Sequence, residues 1–141
     1  MQDFKNLKVW QKSHDLTLKI YRATLKFPKE EIYGLTSQIR RASISIPSNI
    51  VEGCGRNTDS DFGRFLNIAM GSANELEYQL YLARDLAYMK NSEFEQLLNE
   101  VTEIKRMLNT RVIFSSCRKI GFELSYGNMV LWGGDCAGNA E

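Results

Sequence analysis

Apolar residues recur every three or four positions along four long stretches of the chain, and only a few residues separate one stretch from the next. This pattern is the strongest constraint on the fold, because each stretch reads as an amphipathic helix and short connections force neighbours to turn back on one another. The first helix is expected from about Asn6 to Lys26, ending before Phe27-Pro28, since the residue preceding proline disfavours helix. The second is expected from about Ile32 to Gly53. The third follows Thr58, whose spacing to Asp61 is that of a capping box, and reaches about Tyr88. The fourth begins at Ser92, paired in the same way with Glu95, and its pattern persists to Phe114. The stripes are Leu35, Ile39, Ala42, Ile46 and Ile50 on the second helix, Phe62 to Ala87 on the third, and Phe94, Leu97, Val101, Ile104 and Leu108 on the fourth. The expected fold is all-α: an antiparallel up-down four-helix bundle over residues 1–114, with an atypical extension over 115–141.

Two places break the regularity. Pro47 stands inside the second helix and costs ~3 kcal/mol in a regular one, because it frees the carbonyl four residues back, here Ser43. A kink is expected, with Ser43, Ser45, Ser48 or water satisfying that backbone; the alternative is a helix that stops at Ile46 and restarts. After Phe114, five glycines interrupt any helix, while Phe122, Leu124 and Tyr126 alternate ahead of Gly127-Asn128. A hairpin and a disordered tail both fit this extension.

A composition of 43% hydrophobic and 25% charged residues in 141 positions suits one soluble core. No run reaches the roughly 18 apolar residues that span a bilayer, and the N-terminus lacks the apolar stretch of a secretory signal. Cys54, Cys117 and Cys136 are odd in number and widely spaced, forming neither a metal pair nor a disulfide framework. A reducing cytoplasm is the simplest setting, with no membrane involved.

Enzymatic constellations are missing from the sequence, so the expectation is a protein that is not an enzyme and uses no cofactor or metal. The one histidine, His14, lies on an apolar stripe, where a hydrogen-bonded structural histidine is the commoner reading. Gly53-Cys54-Gly55 is too short for a nucleotide loop and reads as a helix C-cap. Glu75 and Glu77 point to different faces and make no carboxylate pair.

The first helix is more informative. At about 100° per residue, Leu7, Trp10, His14, Leu18, Tyr21 and Leu25 cluster on one side, and Val9, Leu16, Ile20, Ala23 and Phe27 on the other. Only one of these faces can enter a four-helix core. The second must be covered by the C-terminal tail or by another protomer, and Val9, Leu16, Ile20, Ala23 and Phe27 are the candidate oligomer interface.

Beside these faces runs a cationic flank of Lys8, Lys12, Lys19, Arg22 and Lys26, interrupted by Asp15. Net charge is only +1, yet residues 1–56 carry ten Lys/Arg against five Asp/Glu, a net of +5, and residues 57–110 carry five against nine, a net of −4. Two readings remain open. The flank faces a nucleic acid and contacts its phosphates without reading bases. Otherwise the two basic helices complement two acidic ones inside one bundle, and the exposed charges serve solubility.

A series of motifs now carries a resemblance: FKNLKVWQK at 4–12, YGLTSQIRRA at 33–42, IPSNIVEG at 46–53, Phe65-Leu66, and SANELE at 72–77. In this order they resemble the four-helix-bundle proteins encoded in intervening sequences of bacterial large-subunit ribosomal RNA genes. That family also includes relatives of the accessory variability determinant of diversity-generating retroelements. The resemblance covers about residues 3–114. It implies an antiparallel bundle assembling into a barrel-like homopentamer. The intervening-sequence members have no settled activity; the retroelement relatives imply binding of RNA or DNA and of a reverse transcriptase through a basic surface. Carried onto this chain, the basic candidates are Arg40, Arg41 and Arg56 beside the lysines of the first helix. Gln38, Asn49 and Glu52 match family positions around the proline, where satisfying the kink and the packing is the plainer role. The sequence after Arg111 departs from the family pattern.

Overall fold

The computed structural model describes residues 3–118, with side chains through residue 109. Four helices carry the fold: α1 (Lys8–Ala23), α2 (Leu35–Cys54), α3 (Asp59–Asp85) and α4 (Asn91–Arg118), with short 3₁₀ turns at Phe4–Asn6, Thr24–Lys26 and Lys29–Glu31. α1 packs on α2 and α4, and α3 packs on the same two helices, so the four close an antiparallel circuit. There is no strand among the described residues. The extension expected from residue 115 begins instead as the last turn of α4, through Arg118, and the hairpin or tail expected beyond it lies outside the described residues.

Local chemistry sets the helix ends. Leu7 caps α1 in extended conformation after a 3₁₀ turn, which moves the start two residues past the expected Asn6. At the far end the Thr24 hydroxyl donates to the Ile20 carbonyl at 2.9 Å, and the helix tightens to 3₁₀ before Pro28. α2 starts at Leu35 rather than Ile32. The Leu35 N–H donates to Glu31 Oε2 at 2.8 Å, and the missing side chain of Gly34 leaves that carboxylate room to reach it. α2 ends with Gly55 as its C-cap, as expected. Thr58 caps α3 as its spacing to Asp61 predicts, accepting from the Asp61 N–H at 3.1 Å. The expected box of Ser92 and Glu95 does not form. α4 already begins at Asn91, with the Phe94 N–H bonded to the Lys90 carbonyl, so Ser92 is inside the first turn.

Between α3 and α4 the chain turns through Ala87, at φ 60° the one non-glycine with positive φ among the described residues. The Tyr88 N–H closes the turn on the Ala83 carbonyl at 2.9 Å. Tyr88 then ties this turn to the one between α1 and α2: its ring sits 5.7 Å from that of Phe27 and its hydroxyl donates to Glu31 Oε1 at 3.2 Å. Desolvation and that carboxylate raise the Tyr88 phenol above its ordinary value.

α2 runs unbroken through Pro47. The carbonyl that the proline frees, that of Ser43, lies 2.9 Å from the Thr17 hydroxyl of α1, which donates between it and the Ser13 carbonyl at 2.8 Å. Two of the serines expected to serve it are engaged elsewhere, Ser43 donating to the Arg40 carbonyl and Ser45 bonding Ser72 of α3 at 2.8 Å, and Ser48 is exposed. The proline's lost bond has thus become a link between helices.

The core is filled by Leu16 and Ile20 of α1, Ile39, Ile46 and Ile50 of α2, Leu66, Leu76 and Leu80 of α3, and Val101, Ile104 and Leu108 of α4, each at most 1% exposed. This settles which face of α1 turns inward. Val9, Leu16 and Ile20 are 0% exposed, Ala23 5% and Phe27 7%, so the five residues expected at an oligomer interface form the inner stripe of the protomer. The other face looks out, except for Leu7, which is 3% exposed and joins the core. The physical reason lies in its polar atoms. Trp10, His14 and Tyr21 each carry an N–H, ring nitrogen or hydroxyl that burial would leave to be satisfied, whereas the Val9 stripe adds only Ser13 and Thr24, which bond back to the backbone of α1.

Candidate association and nucleic-acid surfaces

Outward spacing along α1 places Trp10, His14, Leu18, Tyr21 and Leu25 on the solvent side of the bundle. Leu18 is 43% exposed, Tyr21 38% and Leu25 76%. On the neighbouring α2, Ile44, Pro47 and Val51 continue the same surface. Between the two helices lies a groove of about 430 Å³ lined by Trp10, His14, Thr17, Ile44, Pro47, Ser48, Val51 and Glu52. The groove exists because Thr17 is small enough to bond into α2 while Trp10 and His14 flank it. Its aromatic wall is stiff: the Trp10 indole meets Phe4 edge-on at 4.9 Å and stacks on His14 at 5.3 Å with an interplanar angle of 6°. The α2 half of this surface was absent from the candidates drawn from the sequence. The signal was there in Ile44 and Val51, which fall outside the inward stripe of Ile39, Ile46 and Ile50.

The cationic flank has a different environment from a free basic row. Lys12 pairs with Glu103 at 2.9 Å, Lys19 with Glu100 at 2.6 Å and Lys26 with Glu93 at 3.5 Å. The residue numbers fall on α4 as they rise on α1, so these pairs form a ladder joining two antiparallel helices. Three of the eight basic candidates are therefore balanced by carboxylates of the same protomer. Two others are engaged by rings. Arg40 lies 4.8 Å over Tyr21 and donates to the Thr24 hydroxyl, while Arg56 lies 4.8 Å over Phe65 and pairs with Glu52 at 2.5 Å. Lys8, Arg22 and Arg41 are exposed and make no ion pair among the described residues. Arg22 shares a shallow pocket of about 230 Å³ with Lys19, Lys26, Glu93 and Gln96 between α1 and α4. The structure does not gather the eight cations into one patch. Lys12, Lys19, Arg22 and Lys26 lie along the α1–α4 seam, Arg40 lies against Tyr21 and Thr24, and Arg56 lies at the α2–α3 turn.

Of the residues matched around the proline, Asn49 donates within α2 to the Ser45 carbonyl at 2.8 Å and to Ser45 Oγ at 3.1 Å, the hydroxyl that bonds Ser72 of α3. Glu52 holds Arg56, and Gln38 is exposed. No group of three His, Cys, Asp or Glu side chains positioned to hold a metal occurs among the described residues, and no helix among them is long and apolar enough to cross a membrane.

The fold and motifs match known proteins as follows. A comparison with curated proteins finds no match. Among solved structures, the chain is similar to a protein of unknown function from the S23 ribosomal protein family of Bacteroides thetaiotaomicron. That likeness has 31% identity and a TM-score of 0.67, and covers 74% of this chain and 97% of that one. The sequence also matches the 23S rRNA-intervening sequence protein family over residues 5–110, which takes in α1, α2, α3 and most of α4. Motif order, helix circuit and matched span agree, and the chain belongs to the 23S rRNA-intervening sequence protein family.

Proposed function

We propose that the protein is a non-enzymatic helical scaffold that associates with copies of itself and, once assembled, contacts the phosphate backbone of RNA or DNA. The observation that carries this reading is the outward face of α1 and α2, where Leu18, Tyr21 and Leu25 are exposed and Trp10, Ile44 and Val51 line the groove between the helices. Such a surface on a protomer that already has a full core favours a protein contact. Five copies is the stoichiometry implied by the family resemblance.

Assembly also supports the nucleic-acid half of the reading. One protomer offers only Lys8, Arg22 and Arg41 as unpaired candidates, too few for firm phosphate binding. Repetition around an assembly multiplies them. The paired lysines remain partly exposed, Lys26 at 71% of its side chain, so a polyanion can compete for them with Glu93, Glu100 and Glu103. Binding of a structured RNA and of duplex DNA is therefore expected at low salt, weakening steeply as salt rises. Replacing Arg22 and Arg41 with Glu is expected to weaken it further while leaving helix content unchanged. Undetectable binding to both nucleic acids at low salt would reject this half of the reading.

A second reading has support at the end of the bundle. Tyr33 is 95% exposed and Ile32 51%, with Leu25 and Leu86 also open. That apolar end suits a protein partner, which in the family resemblance is a reverse transcriptase. Co-purification of such an enzyme with the wild-type protein, lost on Tyr33→Glu, is the result expected; recovery of the enzyme unchanged by Tyr33→Glu counts against it.

A further inference from the structure

The groove between α1 and α2 has apolar walls and an open mouth. Trp10, Ile44, Pro47 and Val51 enclose about 430 Å³, and Ile44 is 42% exposed. On a bundle whose core is already full, apolar walls of this kind favour a cover. The position of the groove narrows what the cover can be. Lys12 pairs with Glu103, so the neighbouring Trp10 and the groove stand level with that part of α4. α4 runs on past Glu103 to Arg118, about 22 Å further at the rise of a helix. The chain therefore leaves the bundle at the end where the groove lies.

The sequence that follows has the chemistry of a cover. MVLW at 129–132 is an uncharged apolar run, set between Gly127-Asn128 and Gly133-Gly134. From Arg118, position 132 lies within about 46 Å of extended chain. Returning to the groove takes about 22 Å along the bundle and one helix crossing of about 10 Å. The other apolar end, at Ile32 and Tyr33, lies past the Lys26–Glu93 pair. That pair is about 38 Å back along α4 from Arg118, so the same crossing would leave almost no slack. Polarity fits the nearer site as well. The only full charge lining the groove is the Glu52 carboxylate, which repels nothing in an uncharged run. An indole N–H must keep an acceptor when it is buried, and Ser48 and Glu52 offer two beside the apolar walls.

We propose that residues 129–132 fold back over their own bundle and fill the α1–α2 groove, with Trp132 against Pro47 and Val51. The cover leaves Leu18, Tyr21 and Leu25 open, so it goes beyond the self-association proposed above and does not depend on it.

Chymotrypsin cleavage after Tyr126 in the full chain, followed by mass spectrometry, reads whether the segment is held. Two variants release it. Ile44→Glu puts a charge in the groove, and Trp132→Ser removes the indole without touching the bundle. Cleavage in the wild type is expected to be about tenfold slower or more than in either, with helix content unchanged. Combining the two is expected to add little, because both remove one contact. Tyr78→Glu, at a residue 66% exposed on α3, is expected to keep the wild-type rate. Equal rates in wild type, Ile44→Glu and Trp132→Ser overturn the cover. Release by Tyr78→Glu and not by Ile44→Glu places the segment on α3 and overturns it too. A wild-type rate that rises on dilution means that the groove holds the segment of another copy, which overturns the fold-back. Failure of self-association reads differently: a wild-type mass of one chain with Tyr126 still protected leaves the cover standing.

Discussion

The Ser43 carbonyl shows how much of this fold depends on single hydrogen bonds. Pro47 removes its helical donor, and the Thr17 hydroxyl of α1, shared with the Ser13 carbonyl, supplies the replacement at 2.9 Å. Losing that donor strands a part-buried acceptor, which costs about 1–3 kcal/mol. Thr17→Val is therefore expected to destabilise the protein by about that amount in urea unfolding. In a Pro47→Ala background the residue-47 N–H can serve the carbonyl again, and the same Thr17→Val change is expected to cost little. Equal costs in the two backgrounds would show that the bond does not answer the proline. Ala87 offers a residue-scale gain. It holds φ 60° at the end of α3, where an L side chain is strained by roughly 1 kcal/mol or more. Ala87→Gly is expected to raise the unfolding midpoint, and a fall would mean that the Ala87 methyl makes a contact of its own. Thr17 was not legible as the proline's partner, because periodicity says nothing of which neighbouring helix comes near a freed carbonyl. The need for a partner was legible from Pro47 alone.

At the scale of the helices, the α1–α4 ladder decides what the lysines do. Lys12, Lys19 and Lys26 each meet a glutamate of α4. Exposed pairs of this kind contribute about 0–1 kcal/mol each. Their larger effect is on the field that a polyanion meets. Replacing Glu93, Glu100 and Glu103 with Gln together is expected to lower stability by only about 1–2 kcal/mol. It is also expected to tighten RNA binding at low salt and steepen its salt dependence, because three lysines are released. Binding unchanged by the triple substitution would show that this seam faces no phosphate. The sequence left two readings of the basic half open, and the α1–α4 ion pairs favour charge complementation for part of it. Charge complementation within the bundle accounts for three lysines, while Lys8, Arg22 and Arg41 remain unpaired among the described residues. The four helices themselves were legible, since their apolar stripes repeat over many turns. Their ends shifted by up to four residues, in places where side chains such as Glu31 and Thr24 intervened. The inward face of α1 was misread, because both of its stripes have helical spacing. The deciding feature, the polar atoms of Trp10, His14 and Tyr21, concerns hydrogen bonding rather than spacing.

At the scale of the molecule, the bundle has a complete core and a second apolar surface outside it. The core requires nothing further: Leu16, Ile46, Leu76 and Ile104 are at most 1% exposed within one chain. The outer surface is what the protomer leaves unfinished, and its presence on α1 was legible from the two stripes even though their assignment was reversed. The account therefore turns on whether wild-type chains associate through that surface. The most direct measurement is the solution mass of the wild-type protein at micromolar concentration, beside that of Leu18→Glu. Leu18 is 43% exposed on the middle of the outer face, and glutamate is as good a helix former as the helix there requires. The expected result is a wild-type mass several times that of one chain, falling to a single chain in Leu18→Glu with helix content preserved. A wild-type protein that sediments as one chain, or an assembly that Leu18→Glu leaves intact, would contradict the account.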